Sequence, residues 1–269
     1  MSGFPALPAG WLAGLRARLD RPPAQPRLPL RWRGHAIGSV EPQWVAGLHA
    51  AAPTTVPLLR PAMDPAGPGY LVDGADLTTA LQVLADAMRA AGRAHAWRDE
   101  QLAVAGEDGA VLGSIERAAV RPLGIATRAV HLLGQAGSGH WIQQRALDKP
   151  TDPGLWDTLM GGMVPARDAV AEALQRETWE EAGLRLDQLE DLQRGGAVLS
   201  RGPAGEVAGG YVVEVIDWYR ARVPDGVAPV NQDGEVAQFR LVGDAELVRM
   251  LVADEFTLEA AGVFAAAAA

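Results

Sequence analysis

The first half of the chain shows two helical patterns of apolar and polar positions. Apolar side chains recur every three to four residues from Leu77 to Met88, which predicts an amphipathic helix over residues 77–92. A shorter helix is predicted over residues 11–20, and the proline-rich stretch of residues 21–30 ends it.

Short apolar runs around tight turns predict strands in the same half. Residues 30–40 contain a glycine turn between two runs and predict a strand pair, and residues 101–115 predict a hairpin around Asp108-Gly109. Glycine and proline cluster over residues 61–69, where no element is predicted. We expect a smaller α+β domain over residues 1–118, with a boundary close to its end.

Residues 119–269 have a different pattern of predicted elements, in which several strands surround one acidic helix. That helix is predicted from about Ala166 to Ala182, ending at Gly183, because glycine accepts the left-handed conformation of a helix cap. Strands are predicted over residues 124–135, 140–146, 156–160, 195–201, 207–223 and 236–242, and helices over 244–252 and 255–264. This order predicts an α/β fold, an α/β/α sandwich with a mixed sheet.

Composition narrows the class of protein. The chain of 269 residues carries a net charge of −9, with 33 acidic and 24 basic residues, so it lacks the basic excess of a nucleic-acid binder. It has no cysteine, which excludes disulfides, thiolate metal sites and a cysteine nucleophile. The N-terminus lacks the layout of a signal peptide, and the uncharged run of residues 260–269 is too short to span a membrane. We expect a soluble cytoplasmic protein without membrane partners, and a homodimer is one open alternative.

The acidic helix concentrates charge on one face. Glu177, Glu180 and Glu181 are three and four residues apart, so their carboxylates repel one another. Mg²⁺ prefers such oxygen ligands and bridges them to substrate phosphates, and the same site accepts Mn²⁺. The alternative is a solvated acidic helix face, which is the usual meaning of a charge cluster.

A spaced motif surrounds these acids. Gly162 is followed after five residues by Asp168, and after seven more by the run Arg176-Glu177-Thr178-Trp179-Glu180-Glu181-Ala182-Gly183-Leu184. This pattern resembles the Nudix box. It departs from the box at Asp168, where the family has glutamate, and at Thr178, where the family has an apolar residue.

The resemblance implies roles for the motif residues. It implies that Glu177, Glu180 and Glu181 bind the metal, with the carbonyl of Gly162 also facing it. It implies a structural role for Arg176, which would hold the loop to the helix through Asp168. The shorter side chain of Asp168 weakens that expected support.

A wider resemblance concerns one branch of the family. Residues 124–134, 148–166 and 231–239 are similar to the Nudix domain fused to thiamine pyrophosphokinase in fungi and to its stand-alone relatives, which carry an extra N-terminal domain. This resemblance implies hydrolysis of a diphosphate such as oxidised thiamine diphosphate, giving a monophosphate.

Residues outside the motif have two interpretations each. Glu235 is a further metal ligand or general base, or else a turn acid before a strand. Arg145 and Lys149 contact substrate phosphate or are solvated, and Trp156 lines the pocket or packs in the core. Trp179 is predicted to lie in the core. His131 is predicted to be buried and His140 exposed.

These observations predict an Mg²⁺-dependent Nudix hydrolase that cleaves a diphosphate linkage in a small metabolite. Damaged thiamine diphosphate is the first expectation for the substrate. The alternatives are ADP-ribose or another nucleoside diphosphate derivative, and a non-catalytic metabolite sensor with the same fold. We expect the N-terminal domain to complete the substrate pocket, because clefts between domains are common ligand sites.

Overall fold

The computed structural model describes residues 4–65, 67–94 and 96–269. Its helices are α1 (Ala9–Leu19), α2 (Pro42–Ala51), α3 (Leu77–Ala90), α4 (Val170–Ala182), α5 (Asp244–Val252) and α6 (Leu258–Ala267). Its strands are β1 (Leu28–Trp32), β2 (His35–Val40), β3 (Leu59–Asp64), β4 (Gly67–Val72), β5 (Gln101–Ala105), β6 (Val111–Glu116), β7 (Thr127–Ala136), β8 (Gly139–Arg145), β9 (Trp156–Asp157), β10 (Met160–Met163), β11 (Glu190–Pro203), β12 (Tyr211–Arg222) and β13 (Val236–Gly243). Of the helices described, none is long and apolar enough to cross a membrane.

A mixed sheet organises the second half of the chain. Its strands follow the order β11-β12-β7-β8-β13, with β10 added beside β7 and β9 beside β8. The β12–β7 pair is parallel, whereas the other neighbours are antiparallel. Helices cover both faces, which confirms the predicted α/β/α sandwich.

Each face of this sheet has its own apolar core. On one face α4 buries Ala173 and Leu174 against Val130 and Leu132 of β7. On the other face α1, α5 and α6 pack together, with Leu15, Leu247 and Phe264 among the buried side chains. Burial of these apolar stripes fixes α4 over the middle of the sheet.

The first half contains a smaller sheet and a hairpin. Its sheet has the order β2-β1-β4-β3, and β5 pairs with β6 separately. The predicted strand pair, hairpin and amphipathic helix are present, and α3 buries Leu77, Leu81, Leu84 and Met88 in the core of this half. Helix α2 and the β3–β4 hairpin are additional elements. Residue 66, within the glycine and proline cluster, lies outside the described residues.

The two halves touch at several points. Helix α1 packs against α6, with Leu15 in the core of the second half. The carbonyl of Gln101 in β5 accepts a hydrogen bond from the amide of Ala166 at 2.7 Å, just before α4. The first half therefore supports the loop that leads into the acidic helix. The division of the chain at residue 118 stays a prediction.

Candidate active site

A gap in the mixed sheet lies beside α4. Strands β7 and β8 pair only from Gly134 to Ala136 and from Gly139 to Trp141. Beyond that short ladder β10 pairs with β7, and β9 pairs with β8, so the sheet divides. Backbone and side-chain groups that line this gap can contact the acidic side chains of α4.

Helix α4 begins later than predicted and ends where predicted. It starts at Val170, four residues after Ala166, because the amide of Ala169 donates to the carboxylate of Glu172 at 2.7 Å and begins the helix there. Gly183 has φ of 61°, and its amide donates to the carbonyl of Trp179. The prediction that Trp179 lies in the core is wrong, because the side chain is 50% exposed.

Glu181 is the most deeply placed acid of α4. It is only 2% exposed, and its Oε2 accepts hydrogen bonds from the backbone amide of Gly161 at 3.0 Å and from Nε2 of Gln143 at 2.8 Å. Burial raises the pKa of its carboxyl to about 8, although these two hydrogen bonds lower it. The carboxylate is therefore held in place at the gap while its charge is poorly compensated.

Glu177 lies against the backbone of β10. A Cβ added to Gly162 would be 2.2 Å from Cδ of Glu177, so a glycine is required for this close approach. Burial, with smaller contributions from Glu180 and Glu235, raises the pKa of Glu177 to about 7 against the opposing effect of Arg176. A bound cation would compensate this excess of negative charge.

Arg176 connects the acids of this region. Its Nε donates to Asp168 at 2.9 Å, and its Nη1 donates to Glu177 at 3.0 Å and to Glu180 at 2.8 Å. Asp168 therefore lies against Arg176, the contact that the motif implies. Glu180 points to this guanidinium instead of to the gap.

The oxygen atoms at the gap are suitable ligands for a hard divalent cation. The side chains of Glu177 and Glu181 at the gap carry carboxylate oxygens, the kind of ligand that Mg²⁺ prefers. In the part of the chain that the structure describes, no three acidic or histidine side chains are already gathered at ligating distances. A cation at Glu177 and Glu181 would therefore recruit Glu180 from Arg176.

The late loop of residues 230–235 reaches the same region. Its backbone amides at Val230 and Gln232 donate to carbonyls of Ala182 and Glu180, which attaches the loop to the end of α4. The carboxylate of Glu235 forms an ion pair with Lys149. Two candidate residues separated by 86 positions are thus brought together beside the acids of α4.

Arg145 and Trp156 lie on the other side of the gap. Arg145 is largely buried, and its Nη2 donates to the carbonyl of Thr151 at 3.0 Å. Trp156 is 7% exposed, packs with Phe256 in the core, and has the guanidinium of Arg240 over its ring at 5.3 Å. Contact of Arg145 or Trp156 with substrate stays a prediction.

The histidines have structural partners. His131 is buried as predicted, with Nδ1 3.0 Å from the hydroxyl of Thr158. The prediction that His140 is exposed is wrong, because the side chain is 3% exposed. Its ring lies 5.0 Å from Phe4, and its Nε2 is 2.8 Å from Asp244. Packing from distant parts of the chain buries it.

Comparison with known proteins identifies the family. Residues 122–264, more than half of the chain, match the family model of the NUDIX domain. The chain belongs to the Nudix family. The predicted fold class is thereby confirmed.

Named relatives agree with this assignment. The chain is 34% identical to Nudix hydrolase 24, chloroplastic, of Arabidopsis thaliana over 142 residues, which are 51% of this chain and 38% of that protein. It is 39% identical over 102 residues to the uncharacterized Nudix hydrolase PA4841 of Pseudomonas aeruginosa, covering 37% of this chain and 56% of the relative. The chain therefore spans roughly half or less of these relatives' length. The predicted enzyme class, a Nudix hydrolase, is the class that both names give.

A solved structure is also similar. DR0079 from Deinococcus radiodurans aligns with a TM-score of 0.46 and 22% identity, over 59% of this chain and 92% of that one.

Some residues at the Nudix site were not predicted from the sequence. Gln143 holds Glu181, and Asp157, which is 3% exposed, faces Gln143 across the β8–β9 pair. Both lie in short apolar runs that read as ordinary strands. A polar residue at an inward-facing strand position is uncommon unless it has a hydrogen-bond partner. That position was the signal that could have identified Gln143 and Asp157 as site residues.

The contact between Asp168 and Arg176 leads to a prediction. The Asp168 side chain is 14% exposed and accepts a hydrogen bond from Arg176, whose guanidinium also contacts Glu177 and Glu180. Asp168→Ala removes this acceptor. We expect the free energy of unfolding to fall by about 1–3 kcal/mol and the affinity for Mn²⁺ to weaken modestly. Chemical denaturation and calorimetric titration measure the two effects.

Asp187→Ala is the matched control. Asp187 pairs with Arg185, but both side chains are about two-thirds exposed, so we expect no measurable change. If Asp168→Ala matches wild type in both stability and metal affinity, Asp168 does not support the loop.

Proposed function

We propose that this chain is a divalent-metal-dependent hydrolase that cleaves a diphosphate linkage in a small metabolite. The observation that carries the proposal is the pair of carboxylates Glu177, 14% exposed, and Glu181, 2% exposed, which lie against Gly162 and Gly161 at the gap of the sheet. Placing two such carboxylates close together without a cation is unfavourable. Their placement in the Nudix box supports a metal site.

The metal would be held by Glu177, Glu180 and Glu181, with the carbonyl of Gly162 beside them. When bound, the cation supplies charge neutralisation for a diphosphate and lowers the pKa of a coordinated water. Glu180 would exchange its ion pair with Arg176 for the metal, while Arg176 would keep its contact with Asp168.

Lys149 and Glu235 would act on the substrate and the water. Lys149 donates a hydrogen bond to Glu235 within their ion pair, and a more negative phosphate group would compete for the lysine. Glu235 is then free to accept a proton from the attacking water, as a general base next to Glu177. Arg145 would add a second positive charge that attracts the substrate phosphates.

A small pocket of about 60 Å³ lies between the two halves, and its walls would contact part of the substrate. It includes Met163, the residue after Gly162, and Thr151, whose carbonyl binds Arg145. Its other lining residues come from both halves: Ala96, Arg98, Arg117, Ala118, Val120, Arg121, Ile125, Thr127 and Tyr211 to Glu214. The N-terminal domain would thereby contribute to substrate recognition.

The charges of this pocket are largely balanced. Three arginines, at positions 98, 117 and 121, line it with the carboxylate of Glu214, and Arg117 and Arg121 are paired with Glu100 and Glu206. The case for a thiamine-type diphosphate rests instead on the resemblance to the thiamine branch of the family, whose members hydrolyse oxidised forms of the cofactor. We therefore propose damaged thiamine diphosphate as the substrate, with a monophosphate and inorganic phosphate as products.

A substrate panel tests this proposal. Full-length protein is incubated with oxidised thiamine diphosphate, intact thiamine diphosphate, ADP-ribose or a nucleoside triphosphate at matched concentrations, with Mg²⁺ or with EDTA. We expect the highest kcat/KM for the oxidised compound, and products are identified by mass. A Glu181→Gln preparation controls for contaminating phosphatase.

The two alternative functions, a different substrate and a non-catalytic sensor, predict different results in this panel. A clear preference for ADP-ribose or the triphosphate contradicts the thiamine assignment and leaves Nudix hydrolysis standing. Binding without metal-dependent product release from any compound supports a sensor and contradicts the enzymatic proposal.

A further inference from the structure

Gln143 occupies an unusual position on β8. Its side chain is 1% exposed, and its Nε2 donates to Oε2 of Glu181 at 2.8 Å. Its Oε1 is also buried, but it has no hydrogen-bond partner among the described residues. The amide nitrogen of Gln143 thus has a hydrogen-bond partner, whereas its buried amide oxygen has none among the described residues.

The orientation of this amide follows from its neighbour. Oε2 of Glu181 accepts from the backbone amide of Gly161 at 3.0 Å and from the amide nitrogen of Gln143 at 2.8 Å. Because the amide nitrogen faces the carboxyl group, the amide oxygen turns away from it. An acceptor left buried without a donor costs about 1–3 kcal/mol, so a missing donor is expected at this oxygen.

Nearby donors of the protein are already used. The hydroxyl of Thr158 donates to the carbonyl of Met160 at 2.6 Å, and the amide of Thr158 donates to Asp157 at 2.8 Å. Two further carboxylates, those of Glu177 and Asp157, lie close enough to raise the pKa of Glu181. Such a surplus of buried acceptors fits a hydrated divalent cation, whose water ligands are strong donors.

We propose that Gln143 is a positioning residue of the cation site. Its amide nitrogen fixes Glu181, and its amide oxygen accepts a hydrogen bond from the hydration shell of the bound divalent cation. This inference rests on the proposed function, because it requires a cation at Glu177 and Glu181. It adds to the acidic motif a neutral residue from β8, 38 positions before Glu181.

Metal binding to full-length Gln143→Met tests the inference. Methionine has nearly the same shape and lacks both the donor and the acceptor. We expect the Kd for Mn²⁺, measured by calorimetry at fixed pH and ionic strength, to rise about tenfold or more. With the best substrate of the panel, kcat at saturating Mn²⁺ should fall about tenfold, whereas KM should change less than about twofold because the residue does not touch substrate.

Gln144→Met is the matched control. Gln144 is the same residue type at the next position of β8, where its Nε2 donates to the carbonyl of Gly154 at 2.9 Å, away from Glu181. Its Mn²⁺ affinity should equal that of wild type. Circular dichroism and thermal unfolding confirm that each variant is folded.

The outcomes separate this inference from the proposed function. A folded Gln143→Met protein with wild-type Mn²⁺ affinity overturns the role of Gln143 and leaves the enzyme assignment intact. If wild-type protein binds no Mn²⁺ and hydrolyses nothing, both fail. Should Gln143→Met not fold, Gln143→Asn keeps both amide atoms on a shorter stem, and we expect weaker Mn²⁺ binding than wild type. Unchanged affinity in Gln143→Asn overturns the inference equally.

Discussion

A Glu181→Gln variant is expected to lose at least about a hundredfold in kcat, roughly 3 kcal/mol of transition-state stabilisation, while remaining folded. Glutamine has the same size, and its side-chain oxygen can still accept from the amide of Gly161 and from Gln143. The main change is the loss of the negative charge at the proposed metal site. Steady-state kinetics at several Mg²⁺ concentrations measure the effect.

The same substitution should stabilise the metal-free protein at alkaline pH. The pKa of Glu181 is raised from 4.5 to about 8, so the folded state holds a proton that the unfolded state releases. The stability linked to this proton is fully present below pH 4.5 and is lost as pH rises through about 8. Near pH 8.5, Glu181→Gln should therefore unfold with a free energy higher than wild type by on the order of 2–4 kcal/mol, measured by urea denaturation in EDTA.

Glu172→Gln is the control for both measurements. Glu172 lies in the first turn of the same helix, is exposed, and bonds only the amide of Ala169. Its kcat and its alkaline stability should stay close to wild type. Near-normal turnover in folded Glu181→Gln protein would remove α4 as the metal site.

Local patterns were sufficient for the elements that carry the site. The spacing of apolar residues predicted α3, and the left-handed requirement of Gly183 placed the end of α4 correctly. Helix α2 also had a signal, since Pro42 occupies its first turn and Trp44, Val45 and Leu48 form a buried stripe. That helix could have been predicted.

The β3–β4 hairpin was concealed by its prolines. Pro61 lies in β3, an edge strand of the smaller sheet, where a missing backbone donor is tolerated. Pro68 lies in β4 but outside the short ladder with β1, which involves Tyr70 and Leu71 of β4. Only the position of each strand in the sheet explains why proline is accepted, and one sequence does not reveal that position.

Contacts between distant residues account for the rest of the site. The pairing of Lys149 with Glu235 and the contact of Gln143 with Glu181 depend on how β8, α4 and the loop before β13 assemble. His140 is buried by Phe4 and Asp244, from opposite ends of the chain. Periodicity reports on neighbours within one element, so it cannot identify such partners.

A large steric effect at the candidate site is expected for Gly162→Ala. Gly162 lies in β10, where the backbone conformation is ordinary for a strand, so space alone requires a glycine there. The added Cβ would lie 2.2 Å from Cδ of Glu177 and 2.5 Å from its Oε2. Either the carboxylate or the strand must move. We expect a loss of about 1–3 kcal/mol in the free energy of unfolding and, because Glu177 leaves its position, a fall in kcat of about a hundredfold or more.

The double variant Gly162→Ala/Glu177→Ala separates the clash from other causes. Removing the carboxylate opens the space that the new methyl group needs, so the stability lost in Gly162→Ala should largely return. Activity should stay low, since Glu177, the proposed metal ligand, is absent. Gly205→Ala, where an added Cβ meets nothing within 4 Å, should behave as wild type in both assays. If the double variant is no more stable than Gly162→Ala, the close approach of β10 to Glu177 is not the reason for a glycine at this position.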